Sequence, residues 1–249
     1  MSGHSKWATI KHKKGAADKA RGKLFAVLIR QIEVAARSGG GDQESNATLR
    51  TMVQKARDNS VPMDTIQRAI KRGTGEEEGV IYEPVTYEGY APGGVAVIVQ
   101  ALTDNRNRTS AEIKNIFSRN GGSFAEPGAV SWQFERKGVV LVDKSADEDE
   151  LTLAAAEGGA DDVARDGSTF QVTSAPEALV TVREAIEAAG IPIESAELTM
   201  VPKTTIEVAD ESAAKKVLRL MDALEENDDV QDVYANFDIP EQVLEAVVS

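Results

Sequence analysis

The sequence contains no cysteine, which removes disulfides, thiolate metal sites, thiol nucleophiles and thiol redox switching together. A reducing compartment, the cytoplasm, is the expected setting. There are only two histidines, His4 and His12. Both stand among lysines near the start of the chain, a poor place to build the buried, oriented surroundings of a catalytic or zinc-binding imidazole. No stretch approaches the ~20 apolar residues that a membrane-spanning helix needs. The basic opening MSGHSKWATIKHKK has no apolar run behind it, so neither a secretory signal nor an anchor is expected. The catalytic loops are missing as well. Gly15 to Leu24 has six residues between its glycines and a leucine where a phosphate loop needs a hydroxyl, and Gly73 to Gly79 carries three glutamates that would repel a pyrophosphate. No Gly-x-Ser-x-Gly elbow occurs.

What is present is an ordinary globular composition. Of 249 residues, 41% are apolar and 28% charged, enough for two or three separate cores. The acidic pairs, at Asp147 to Glu150, Asp161 to Asp162 and Glu225 to Asp229, fall at helix starts or in turns. They are expected to be solvated or to favour a helix dipole rather than to do acid-base work or hold a metal. Neither a cofactor nor an enzyme activity is expected.

Charge is distributed unevenly. The whole chain carries a net −13, yet residues 1–75 hold 15 Lys and Arg against 6 Asp and Glu, a net of +9, and the remainder is −22. With screening over about 8 Å at physiological salt, two such lobes present largely separate fields. The basic lobe invites nucleic acid in spite of the acidic total.

Periodicity places three helices in that lobe: one bearing Leu24, Leu28, Ile32 and Ala35 and ending at Gly39 to Gly41, one bearing Leu49, Met52, Val53 and Ala56, and one from Pro62 that buries Ile66, Ala69 and Ile70 and stops at Gly73. After a linker at Gly73 to Gly79 come an edge strand over 82–90, a strand with Val95, Val97 and Val99, a helix around Ile113, Ile116 and Phe117 with a Thr109/Glu112 capping box, and a strand with Val130, Trp132 and Phe134 on one face. Residues 138–202 read as β-α-β-β-α-β, the ferredoxin-like order, with both helices opening on Ser-x-x-Glu. A final β-α-β over 204–237 is too small to stand alone and is expected to complete the β-α-β of residues 95–134. The fold class is therefore α+β in three domains: a basic helical domain over 1–75, a discontinuous α+β domain over 80–135 plus 203–249, and an inserted ferredoxin-like domain over 136–202.

Two places suit nucleic acid. The arm with Lys6, Lys11, Lys13 and Lys14 interleaves Trp7 and His12 and runs on into Lys19, Arg21 and Lys23. At ~100° per residue, Lys19, Lys23, Arg30 and Arg37 fall within about 40° of one another on the first helix. These cations would neutralise phosphates, and an exposed indole would stack on an unpaired base. The second place is Asp104 to Thr109, a polar turn entering a helix N-terminus with Arg106 and Arg108 beside free backbone N–H groups. The ferredoxin-like sheets lack the aromatic pattern of RNA-recognition motifs.

The segment Gly3-His4-Ser5-Lys6-Trp7-Ala8-Thr9-Ile10-Lys11-His12-Lys13-Lys14 closely resembles the start of the YebC/PmpR family, whose mitochondrial members are translational activators. The match continues through residues 59–73, 87–94, 103–109 and 134–138, and is spread over the first 140 residues. The resemblance implies three domains with a helical first one. It also implies one of two roles: a DNA-binding transcriptional regulator, or a ribosome-associated factor that binds ribosomal or transfer RNA and relieves stalling at difficult stretches such as proline runs. The expected partner is promoter DNA or ribosomal RNA, with the ribosome in the second case. No membrane is expected, and the state is that of a monomer or weak homo-oligomer. A metal-dependent enzyme is the remaining alternative.

Overall fold

Each of the three helices that open the computed structural model, which describes residues 17–166 and 169–248, turns an apolar stripe towards the other two. The helices are α1 (Ala17–Gly39), α2 (Ala47–Asp58) and α3 (Met63–Thr74). Leu28, Ile32 and Ala35 of α1, Leu49 and Val53 of α2, and Ile66, Ala69 and Ile70 of α3 form one buried cluster. Leu24, expected to head the α1 stripe, is 37% exposed because the cluster reaches only to Phe25 and Leu28. Gly73 does not stop α3. The helix runs to Thr74 and ends on Gly75, whose φ of 83° is the left-handed turn that favours glycine. Gly73 serves close approach instead, since a Cβ there would lie 2.5 Å from the Glu33 carbonyl oxygen. Glu33 itself is buried and accepts from Arg72 Nε at 2.7 Å, which ties α1 to α3.

The next unit is built from β1 (Glu83–Ala91), β2 (Val95–Thr103), α4 (Arg106–Arg119) and β3 (Ser123–Ala125), and is finished much later by α7 (Glu211–Glu225) and β9 (Val230–Ala235). Its sheet has the order β3-β1-β2-β9. Val95, Val97 and Val99 of β2 pack with Ile113 and Phe117 of α4 and with Val217, Leu218 and Met221 of α7. The chain closes with α8 (Glu241–Val248), whose Val243 and Leu244 lie against the same core.

This is a ferredoxin-like sheet, with two corrections to its expected assembly, the first being that β3, not the segment 130–134, supplies the strand after α4. The strand at 82–90 is not an edge, because β1 pairs with β2 on one side and β3 on the other. It fills the place expected for residues 204–208. Gly93 and Gly94, both at positive φ, fold β1 onto β2 as a hairpin, a short closure of low entropic cost. The displaced segment keeps only β8 (Ile206–Glu207), which pairs in parallel with β10 (Phe237–Asp238) in a two-stranded ladder.

Between β3 and β8 the chain inserts a second ferredoxin-like unit: β4 (Phe134–Asp143), α5 (Glu148–Glu157), β5 (Ala160–Asp166), β6 (Thr169–Ser174), α6 (Leu179–Ala188) and β7 (Ile193–Pro202). Its order is β5-β6-β4-β7, antiparallel throughout. Val140, Val142, Phe170 and Val172 of the sheet bury Leu151, Val182 and Ile186 of the helices.

The caps differ from those expected. Asp147 caps α5 by accepting from the backbone N–H groups of Asp149 and Glu150, and a 3₁₀ turn at Pro176–Ala178 precedes α6 with no side-chain cap. Asn105, not Thr109, caps α4. Residues 131–133 form a 3₁₀ turn rather than a strand. Val130 and Phe134 are buried as expected, but the tighter winding rotates Trp132 out to 68% exposure.

Candidate nucleic-acid interface

The cationic face of α1 divides along its length. Lys6, Trp7, Lys11, His12, Lys13 and Lys14 lie outside the described residues, as do the side chains of Lys19 and Arg21. Lys23 donates from Nζ to the Asn227 carbonyl oxygen at 2.6 Å. Arg30 donates to the Asp228 carbonyl oxygen and, at 3.3 Å, to Asp229 Oδ1, while its guanidinium sits 5.1 Å from the centre of the Tyr82 ring. Arg37, further along, is exposed and has no ion-pair partner among the described residues. Two of the expected phosphate-binding cations are thus turned inward, onto the turn between α7 and β9.

The same turn takes a third. Arg108 donates to Asp229 Oδ2 at 2.7 Å and to Asp104 Oδ1 at 2.8 Å, and the Thr109 hydroxyl donates to Asp229 Oδ2 at 2.6 Å. Asp229, expected to be a solvated turn residue, is only 5% exposed and joins α1 to α4. Burial alone would raise its pKa. Hydrogen bonds from Thr109 and Arg108, with the charges of Arg108 and Arg30, outweigh that and hold the carboxyl below the usual range. Asp229 and then Asp104 push the Arg108 pKa up in return.

The polar turn before α4 is therefore partly engaged already. Asn105 Oδ1 accepts from the Arg108 backbone N–H at 3.1 Å, and the Arg108 side chain is engaged. Both arginines are exposed, and Arg106, which takes no part in the clasp, has Glu83 4.0 Å away. Around the clasp is a cleft of about 520 Å³ lined by Arg30, Tyr82, Asp104, Arg108, Glu112 and residues 226–229. Five carboxylates against two guanidiniums make it a poor receptacle for phosphate. Four exposed cations that sequence reasoning left out of the expected site, Arg50, Arg57, Arg68 and Lys71, stand on α2 and α3 with no ion-pair partner among the described residues. They were legible in the +9 count, and Arg68 and Lys71 also in the segment 59–73 that carries the family resemblance. Asp229 had no local signal, being one of 41 acidic residues until β9 carries it beside α4.

Among the described residues no helix is long and apolar enough to cross a membrane.

Comparison with known proteins agrees with this architecture. Residues 5–76 match the family described as the TACO1/YebC protein N-terminal domain, and residues 82–237 match the TACO1/YebC second and third domain. The chain is 54% identical to a protein of Halothermothrix orenii over 250 residues, 99% of each chain, and 58% identical to one of Rubrobacter xylanophilus over 249 residues, again 99% of each. Both are named "Probable transcriptional regulatory protein". The crystal structure of a conserved hypothetical protein from Aquifex aeolicus superposes with a TM-score of 0.81 at 50% identity, over 90% of this chain and 93% of that one. The chain belongs to the TACO1/YebC family.

Proposed function

We propose that this protein is a non-enzymatic, nucleic-acid-binding regulator of gene expression that grips phosphates through its basic N-terminal domain. The observation that carries the reading is the segregation of charge: +9 over residues 1–75 against −22 over the rest. The acidic lobes repel a polyanion and so orient the molecule by its basic end. The division of labour follows domain limits of 1–75, 80–135 with 203–249, and 136–202. The arm cations Lys6, Lys11, Lys13 and Lys14, with Lys19 and Arg21 on α1, supply the phosphate contacts, and Trp7 and His12 lie among them. Exposed Arg37 and Arg106 extend the surface. Lys23, Arg30 and Arg108 serve the clasp and join the contact only where phosphate displaces its acceptors.

The names of the relatives speak of transcriptional regulation, and we therefore put promoter DNA first. A second reading, a cytoplasmic factor acting on ribosomal RNA, is favoured by the outward ring of Trp132, which suits irregular RNA better than a duplex groove. Sucrose-gradient sedimentation from lysate, with and without nuclease, separates the two, run beside a Lys11→Glu, Lys13→Glu, Lys14→Glu variant. Wild type at the top of the gradient at low and physiological salt supports promoter DNA. Co-migration with ribosomal particles that the variant loses supports the second reading.

A further inference from the structure

Trp132 lies in the loop that leads from β3 into the inserted unit, and the protein has committed a buried charge to holding that loop. Glu88, only 5% exposed, receives three backbone N–H groups from it: Gly128 at 2.8 Å, Val130 at 2.6 Å and Ser131 at 3.0 Å. Burial would raise the Glu88 pKa, and the three donors together reverse this and lower it. The Tyr90 hydroxyl donates to the Ala129 carbonyl oxygen at 3.2 Å, and Gln133 is held by the Asn236 amide at 3.1 Å and by the Lys203 backbone N–H at 2.8 Å. A loop pinned at this many points is not a floppy connector. It presents one large side chain to solvent in a fixed place.

The ring is prepared for a flat ligand. Its Nε1–H donates back to the Ala129 carbonyl oxygen at 3.0 Å, so the polar edge is satisfied within the loop. Among the described residues no aromatic ring or cation stacks on it. Its chain neighbours Ser131 and Gln133 are polar, and the Lys203 ammonium bonds the Trp132 carbonyl oxygen at 3.0 Å. A protein partner anchors a tryptophan inside an apolar patch that excludes water. A nucleobase asks for less, namely one free π face and a cation within reach of the adjoining phosphate.

We propose that Trp132 is a second nucleic-acid contact, its indole stacking on an unpaired base while Lys203 neutralises the neighbouring phosphate. The contact rests on the nucleic-acid reading above and deepens it, because a duplex offers no free base face. The ligand is single-stranded, either RNA or melted DNA.

The chain has two tryptophans, so Trp7→Phe leaves Trp132 as the sole indole fluorophore. In that background the protein is titrated with three end-labelled probes, a 12-nucleotide oligouridylate, an oligothymidylate of the same length and a blunt DNA hairpin, following label anisotropy and indole emission together. The expected result is quenching by the single strands and not by the hairpin. Trp132→Ala should lose about 5- to 100-fold in single-strand affinity, Trp132→Phe should keep most of it, and hairpin binding should not change. Stronger quenching by the uridylate assigns RNA, and stronger quenching by the thymidylate assigns melted DNA. Probes that bind by anisotropy but leave the emission and the Trp132→Ala affinity unaltered overturn this contact alone. Probes that bind neither this protein nor the wild type overturn the nucleic-acid reading with it.

Discussion

Gly73 and Arg37 show two opposite kinds of residue in the same basic domain. At Gly73 the backbones of α1 and α3 touch, and an added methyl would meet the Glu33 carbonyl oxygen at 2.5 Å and the Ala36 Cβ at 2.7 Å. Because the first of these is backbone, Gly73→Ala should cost about 1–3 kcal/mol, read as a lowered midpoint in urea unfolding. Arg37 is exposed and has no ion-pair partner among the described residues. Arg37→Glu should leave that midpoint within ~0.5 kcal/mol while weakening nucleic-acid binding about equally for all sequences, the mark of a phosphate contact. From the sequence the two look alike, a glycine near a helix end and a cation on a helical face. Contact partners separate them, and these come from how α1 meets α3 and from what lies across from each turn of α1. For the same reason Arg30 and Arg37, equivalent on a helical wheel, part ways: only Arg30 lies opposite the turn at 226–229.

Among elements, α1 is coupled to α4 and β9 through one carboxylate. Asp229 receives Arg30, Arg108 and Thr109, and its pKa is lowered, so its contribution is present above the unfolded carboxylate value of about 3.9 and is lost as pH falls through the still lower folded value. Between pH 5 and 8 the clasp should therefore be insensitive to pH. Protection of the α1 amides around Lys23 to Arg30, taken relative to the intrinsic exchange rate at each pH, should fall only in acid, and Asp229→Asn should show the lowered protection already at pH 7. Equal protection in the variant and the wild type at pH 7 would count against a clasp. The helices and most strands were legible from periodicity, since Leu28, Ile32, Val97 and Phe117 are buried where their spacing puts them. Pairing was not. Alternation marks residues 204–208 as extended but cannot say that the β1–β2 hairpin takes their place in the sheet. The alternation of Val130, Trp132 and Phe134 fits a strand and equally a 3₁₀ turn that ejects the middle residue. Caps failed similarly, because Ser145 and Ser174 fit a capping box while Asp147 and the turn at Pro176–Ala178 do the work.

At the scale of the molecule, a basic helical lobe is joined to two acidic ferredoxin-like units, and the account stands on the basic lobe being the end that holds nucleic acid. Binding through about six phosphates releases counterions, so the logarithm of the affinity should fall with the logarithm of salt concentration with a slope of about −5. Each cation reversed should remove about one unit of slope. The most direct test is fluorescence anisotropy of a labelled nucleic acid titrated with protein at several salt concentrations, for the wild type and for the Lys11→Glu, Lys13→Glu, Lys14→Glu variant. The account predicts a steep slope for the wild type and a much shallower one, with weaker binding, for the variant. Binding that ignores salt, or that the variant retains in full, would contradict it.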